Sequence, residues 1–344
     1  MKRIIICCDG TWNSADDNGE GEACDTNVAK IAELIAPTDS QGNHQVTFYH
    51  QGVGSGNLED KIAGGAFGVG LSKNIMEAYR FLASNHIPGD EIWLFGFSRG
   101  AYTARSIVGL IRNCGLLKKE HLDKIPMAYE LYRNRSEQTT PASSHAENFK
   151  DSFSDQPGIH FLGVWDTVGS LGVPDSIISR LLDDKWNFHD VALSSIVKNA
   201  YHAVAIDERR EDFKPCLWQS SPQTKSEQVW FPGVHSDIGG GYRETGLSDC
   251  ALAWMICRAQ GCGLQFNPQA VTVQPSSSGQ LHDSKKGFFR LLGTEVRAVE
   301  PALLSLAALQ RHAAGQYDPK NWPATATPQA CPDRQACQGC FKCF

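Results

Sequence analysis

The pentapeptide Gly96-Phe97-Ser98-Arg99-Gly100 places one serine between two glycines, each two residues away from it. Before it, Glu91–Phe97 is an apolar run typical of a buried strand, and the residues after it have helical spacing. A serine on such a strand-to-helix turn exposes its hydroxyl for nucleophilic attack, and the glycines relieve the crowding around it. The motif predicts Ser98 as a nucleophile, with an ordinary strand–turn–helix junction as the alternative.

A serine nucleophile needs a base, and the base needs an acid that orients it. After a motif of this kind, the acid comes next along the chain and the histidine follows. His235, in the segment VWFPGVHSDIGGGY, follows a predicted strand and precedes a glycine-rich loop, so it fits best. Six other histidines suit structural roles better: His121, His145, His160, His189, His202 and His282.

Two aspartates are candidates for the acid, and each ends a predicted strand. Asp166 ends IHFLGVWD in an apolar setting, where a buried carboxylate needs a partner such as a histidine N–H. Asp207 ends AVAID and is followed by Arg209 and Arg210, which could engage it in ion pairs. The residues favour Asp166 without excluding Asp207.

An oxyanion formed at such a serine needs backbone N–H donors close to it. The N–H of Arg99, at the start of the predicted helix, is one candidate donor. The loop CCDGTWN after the first strand offers Gly10 and Thr11 as a second source. Asp9 is expected either to brace this loop or to form an Asx-type turn.

Strands and helices alternate along the chain, which predicts an α/β protein with a mainly parallel central sheet flanked by helices. Residues 52–72 are predicted as a glycine-rich loop and Ala192–Ala203 as a helix. We expect one catalytic domain over residues 1–320, with a polar excursion at 136–158. Residues 321–344 are expected to form a cysteine-rich, flexible tail.

The chain has 344 residues and a formal net charge of −6, so no basic excess indicates binding to nucleic acid. No apolar run approaches the ~20 residues that span a bilayer, so no integral membrane association is expected. The first apolar run ends at Asp9, too early for a cleaved signal peptide. The expectation is a cytoplasmic protein, or one exported without a cleaved signal.

Four of the twelve cysteines crowd the tail with the spacing C-x5-C-x2-C-x2-C. This spacing allows a metal site, although exposed thiols on a flexible tail are the simpler interpretation. The residues concerned are Cys331, Cys337, Cys340 and Cys343. No cofactor and no other metal site are expected.

Six segments occur in an order that resembles one known family: DGTWN, GGAFGVGLSKNIMEAYRFL, GFSRGAYTARSIVGLI, GVWDTVGSLG, HAVAIDERREDFKP and FPGVHSDIGGGY. The chain resembles the α/β-hydrolase domain family that includes the type VI secretion phospholipase effectors, over Arg3 to Gln260. The resemblance implies an α/β-hydrolase fold and a triad of Ser98, Asp166 and His235, with Asp237 bracing a loop.

The resulting functional prediction is a serine hydrolase that cleaves carboxylic esters through an acyl-enzyme. The class includes esterases, lipases and enzymes of the phospholipase A type, so the expected partner is a small-molecule or lipid ester substrate. The alternative is a non-catalytic lipid- or ligand-binding module on the same fold.

Overall fold

The computed structural model describes residues 1–10, 24–52, 65–134, 136–168, 193–286, 290, 293–299, 303–315, 317–325 and 327–328. The strands are β1 (Arg3–Cys8), β2 (Gln45–His50), β3 (Glu91–Phe97), β4 (Leu116–Leu117), β5 (Ser154–Asp155), β6 (Ile159–Trp165), β7 (Val197–Ala205), β8 (Lys225–Phe231), β9 (Leu303–Leu304) and β10 (Thr327–Pro328). The α-helices are α1 (Asn27–Leu34), α2 (Gly65–Asn85), α3 (Arg99–Cys114), α4 (Ile125–Arg133), α5 (Ser144–Phe153), α6 (His235–Gly239), α7 (Gly246–Gly261) and α8 (Leu306–Ala313).

The central sheet has the strand order β10-β9-β8-β7-β6-β3-β1-β2, and the paired strands within it are parallel. From β1 the chain adds β2 on one side and then β3, β6, β7 and β8 on the other. The carboxyl ends of these strands share one edge, which is where ligands bind in open α/β sheets. With helices on both of its faces, the sheet confirms the predicted α/β-hydrolase fold.

Strand β1 shows how the sheet is stabilised from both sides. Ile4, Ile6 and Cys8 pack into a core with α2, α3 and α4, while Ile5 and Cys7 pack into a second core with α1 and α7. All five side chains are at most 2% exposed. Because both faces are covered, the strand is apolar throughout rather than alternating.

The helix predicted at Ala192–Ala203 is wrong, because Val197–Ala205 is strand β7. This strand pairs with β6 on one side and β8 on the other, and eight of its nine residues are buried. Asn199 and His202 are buried together with the apolar residues, so the segment lacks the period of two that separates a strand from a helix.

One further prediction is corrected by helix α2, and helix α5 adds detail to another. Helix α2 begins at Gly65, so the predicted glycine-rich loop at 52–72 extends too far. Leu71 and Ile75 are buried in the first core, and this packing outweighs the low helix propensity of the glycines. The polar excursion at 136–158 contains helix α5, which begins at a Ser143 cap and buries Ala146 and Phe149.

Among the helices of the described ranges, none combines the length and the apolar character needed to cross a bilayer.

Candidate active site

Strained backbone marks two positions at the carboxyl edge of the sheet. Ser98 has φ 56° and ψ −122°, and Asp166 has φ 36°; no other non-glycine residue in the described part of the chain has a positive φ. They directly follow the adjacent strands β3 and β6. Strain of this kind costs about 1–3 kcal/mol and clusters at functional sites.

The glycines of the pentapeptide allow the turn at Ser98 to form. A β-carbon on Gly96 would lie 2.5 Å from the carbonyl oxygen of Gly100. A β-carbon on Gly100 would collide with the carbonyl oxygen of Cys8, at the end of β1. The first turn of α3 therefore packs directly on the backbone of β1, and no larger residue fits there.

Replacing Gly100 by alanine is expected to lower the free energy of unfolding by about 3 kcal/mol, because the added methyl group meets rigid backbone. Chemical denaturation of both proteins measures this change. Gly261→Ala is the control, since nothing lies within 4 Å of a β-carbon there. A Gly100→Ala protein as stable as the control would contradict this packing.

Asp166 and His235, which are 69 residues apart in sequence, form a buried pair. The Nδ1–H of His235 donates to Oδ2 of Asp166 at 2.6 Å, and the two residues are 5% and 0% exposed. His235 is the first residue of α6. Its ring packs on that of Phe97, the residue before Ser98, with centroids 4.6 Å apart.

The ionisation of the pair follows from its surroundings. Burial opposes the charge on Asp166, but Arg297 and His235 together hold the pKa of that carboxyl far below its usual value. Burial lowers the pKa of His235 below its ordinary value, although Asp166 acts in the opposite direction. At neutral pH the pair therefore consists of a carboxylate and a neutral imidazole, the state that a general base requires.

The second candidate acid, Asp207, does not contact His235. Its carboxylate accepts a hydrogen bond from the Gly233 N–H at 2.6 Å and another from the Tyr317 hydroxyl at 2.8 Å. The two arginines that could engage it have other partners, since Arg209 pairs with Asp283 and Arg210 with Glu208. Asp207 thus holds the loop before His235.

Glu208 is a site residue that the sequence analysis missed. Its carboxylate accepts a hydrogen bond from the His235 backbone N–H at 3.2 Å, and others from Arg210 and the Ser284 hydroxyl. Burial raises its pKa, but Arg210 overcomes this effect and lowers the pKa to about 2. The charged run DERRED was the available signal, although it does not show which carboxylate faces the histidine.

Asp237 braces the same region, as the family resemblance implied. Its carboxylate accepts hydrogen bonds from the Val234 N–H at 3.0 Å, the His282 N–H at 3.1 Å and Nδ1 of His282 at 2.6 Å. These bonds fix the start of α6, on which His235 lies. His282 therefore has a structural partner, which agrees with its exclusion as the base.

His202 also has a structural role. It is fully buried, and burial followed by the charge of Arg105 lowers its pKa to about 3. Its Nε2 accepts the Thr167 N–H at 3.1 Å, so its Nδ1–H faces Gln228. A neutral histidine fixed in this way orients the backbone after Asp166.

The candidate oxyanion donors differ in their surroundings. Arg99 begins α3 directly after Ser98, and the dipole of the helix favours a negative charge at this end. Gly10 lies beside Ser98, since a β-carbon on it would be 3.4 Å from Cβ of Ser98. Its N–H, however, donates to Oδ1 of Asp9 at 2.6 Å, so it is not directed at an oxyanion. Thr11 lies outside the described residues.

Asp9 braces the end of β1 through three hydrogen bonds. Besides the Gly10 N–H, its carboxylate accepts hydrogen bonds from the hydroxyls of Thr26 and Tyr49, each at 2.6 Å. These partners lie on different parts of the fold, at the start of α1 and in β2. Residues 9 and 10 are thereby held next to the strand-to-helix turn at Ser98, which is called the elbow below.

No cluster of three histidine, cysteine or acidic side chains suited to a metal ion occurs in the part of the chain that the structure describes. The tail cysteines Cys331, Cys337, Cys340 and Cys343 lie outside it, so their metal site stays a prediction.

Comparison with known proteins identifies the family. The model of the family "T6SS, Phospholipase effector Tle1-like, catalytic domain" matches residues 2–258. Uncharacterized protein YEL023C of Saccharomyces cerevisiae is 33% identical over 242 residues, which is 64% of this chain and 33% of the yeast protein. This chain thus corresponds to about a third of that relative.

Two solved structures are similar at lower identity. An uncharacterized protein from Pseudomonas aeruginosa is 20% identical with a TM-score of 0.45, covering 80% of this chain and 49% of that chain. The Tle1 effector bound to the VgrG spike of the type 6 secretion system is 21% identical with a TM-score of 0.42, covering 72% of this chain and 52% of that chain. The present chain spans about half the length of each.

Proposed function

The chain belongs to the T6SS Tle1-like phospholipase effector catalytic-domain family, and from this premise we propose that it is a serine hydrolase of carboxylic esters. The observation that carries the proposal is the buried Asp166–His235 pair beside the strained Ser98 turn. The family name makes a lipid ester, cleaved by a phospholipase A type of reaction, the substrate class to test first.

The proposed reaction has two halves. The hydroxyl oxygen of Ser98 attacks the ester carbonyl while Nε2 of His235 takes the proton, and the tetrahedral intermediate then expels the alcohol, to which His235 returns the proton. Water, activated by the same imidazole, attacks the acyl-enzyme and releases the carboxylic acid and the free serine. Asp166 orients the ring and stabilises the imidazolium in both halves.

The oxyanion of each tetrahedral intermediate requires donors that are already oriented before reaction. The Arg99 N–H at the start of α3 is the donor proposed from the described residues. Thr11 remains the proposed second donor, since Gly10 is engaged by Asp9 in this structure. Such a donor typically contributes about 3–4 kcal/mol to transition-state stabilisation.

The acidic limb of kcat/KM is expected to fall below the ordinary histidine pKa of about 6.5. Burial lowers the pKa of His235 despite Asp166, so the imidazole stays unprotonated and active to lower pH than a free histidine does. A pH profile with a soluble ester measures the limb. An acidic limb above pH 6.5 would contradict this description of the site.

The substrate class is tested with p-nitrophenyl esters of short and long acyl chains and with phosphatidylcholine vesicles, measuring p-nitrophenol and free fatty acid. Preference for long chains together with fatty acid release supports a phospholipase, whereas preference for short chains supports an esterase. If all three substrates remain intact while vesicles still bind the protein, the chain is a lipid-binding module rather than an enzyme.

A further inference from the structure

Arg297 is a buried arginine whose guanidinium contacts both carboxylate oxygens of Asp166, the candidate triad acid. Its Nη1 donates to Oδ1 of Asp166 at 2.6 Å, and its Nη2 donates to Oδ2 at 3.0 Å. Arg297 is 4% exposed and Asp166 is fully buried. Two parallel hydrogen bonds of this type fix the plane of a carboxylate as well as its position.

The guanidinium is itself held in place by backbone. Nη1 also donates to the Ala205 carbonyl at 2.9 Å, at the end of β7, and Nη2 donates to the Phe213 carbonyl at 2.5 Å. The main chain of Arg297 is tied as well, since Asn321 donates to its carbonyl at 3.0 Å and to that of Ile206. The arginine therefore has little freedom to move independently of the sheet edge.

The hydrogen bonds around Asp166 leave one direction open for His235. Oδ1 accepts from the Ala205 N–H and from Arg297, while Oδ2 accepts from Arg297 and from Nδ1 of His235. Rotation of the carboxylate would break both bonds to Arg297. The acceptor that His235 meets is therefore set by the arginine.

Charge gives the contact a second consequence. The ionisable groups that face His235 are Asp166, Glu208 and Arg210, and Arg297 reaches it through Asp166. A buried carboxylate with no cation beside it tends to be protonated. If it stays ionised, its unshared charge raises the pKa of an adjacent imidazole and so favours the imidazolium. Arg297 opposes both tendencies by sharing the charge of Asp166.

We propose that Arg297 is a positioning residue of this active site: it orients and keeps ionised the acid that orients His235. Arg297 lies beyond residues 2–258, which match the family model. The functional unit therefore extends into the segment at 293–299. The proposal rests on the proposed hydrolase function.

The test compares Arg297→Met and Arg297→Lys with the wild-type chain. We expect Arg297→Met to lower kcat about 10- to 100-fold with little change in KM, because the acid is no longer held in place. The acidic limb should move up by about 1 pH unit, since the unshared carboxylate charge favours the imidazolium. Arg297→Lys keeps the positive charge but cannot form the two parallel hydrogen bonds of a guanidinium. This variant should return the acidic limb to its wild-type pH and restore only part of kcat.

Arg258→Met is the matched control. Arg258 is 3% exposed and pairs with Glu227 at 2.7 Å, so its loss breaks another ion pair away from the triad. Both methionine variants should lose stability, but only Arg297→Met should change the acidic limb. If the two methionine variants lose the same activity and the acidic limb is unchanged in each, Arg297 has a structural role alone.

NMR titration of His235 separates this proposal from the proposed function. A wild-type chain without esterase activity removes the hydrolase proposal, yet the pKa of His235 still reports on Arg297. The same upward shift is expected in Arg297→Met, and an unchanged pKa overturns the proposal. If Arg297→Met does not fold, Arg297→Lys provides the test, because a wild-type kcat in that variant contradicts the orienting role of the two parallel hydrogen bonds.

Discussion

Ser98→Ala is expected to lower kcat for ester hydrolysis by about 10⁴- to 10⁶-fold, because the proposed reaction has no other nucleophile. Alanine and serine carry the same Cβ, so the turn at φ 56° is equally strained in both proteins. The loss therefore reports the hydroxyl and not the fold. Hydrolysis of p-nitrophenyl esters and covalent labelling by a fluorophosphonate measure it.

Ser106→Ala is the control for this prediction. Ser106 is a buried serine on the same helix, two turns after the elbow, and it lies outside the proposed machinery. The Ser106→Ala protein should keep wild-type activity and fluorophosphonate labelling. Hydrolysis by Ser98→Ala at the wild-type rate would remove Ser98 as the nucleophile, and labelling at another serine would name its replacement.

Asp166→Asn is expected to lower kcat by about 10⁴-fold. In one orientation of the amide its NH₂ group faces Arg297 and Nδ1 of His235, and in the other it faces Arg297 and the Ala205 N–H. In either orientation the N–H groups of the amide face N–H donors of Arg297 and of a neighbour. The orientation that meets His235 with an N–H also forces the imidazole into the tautomer that cannot accept the serine proton.

The same substitution should reduce stability by about 3–5 kcal/mol, because Arg297 remains buried without its anionic partner. The folded-state pKa of Asp166 is lowered. The stabilisation is therefore fully present above the usual aspartate pKa of about 3.9, and it is lost as the pH falls below that value toward the folded-state pKa. Denaturation of both proteins at pH 7 and at pH 3 measures the difference, which should be smaller at pH 3.

Asp207→Asn controls for both effects. Its amide oxygen can still accept the Gly233 N–H and the Tyr317 hydroxyl, which are the bonds that the carboxylate makes. Activity within a few fold of wild type is expected. A loss as large as that of Asp166→Asn would mean that the acid had been assigned to the wrong aspartate.

The elbow could be predicted from the sequence because its constraints act over five residues. Glycine at positions 96 and 100 is required by backbone contacts within the turn and against β1, and the apolar run before Ser98 reflects a strand covered on both faces. The sequence also favoured Asp166 and His235 as partners for Ser98, and these two residues form a buried pair. The helix prediction at Ala192–Ala203 failed for the opposite reason. The central position of β7 in the sheet removes the alternation that identifies a strand.

What the sequence by itself determined was the strained serine, the strands that carry it and a short set of partners. The tertiary structure decided among those partners, because Asp166 meets His235 across 69 residues and Arg297 across 131. Asp207, at an equivalent strand end, faces Gly233 and Tyr317 instead. Which carboxylate meets the imidazole depends on how neighbouring strands and loops come together, and Arg297 has no local pattern because its role exists only once Asp166 is buried.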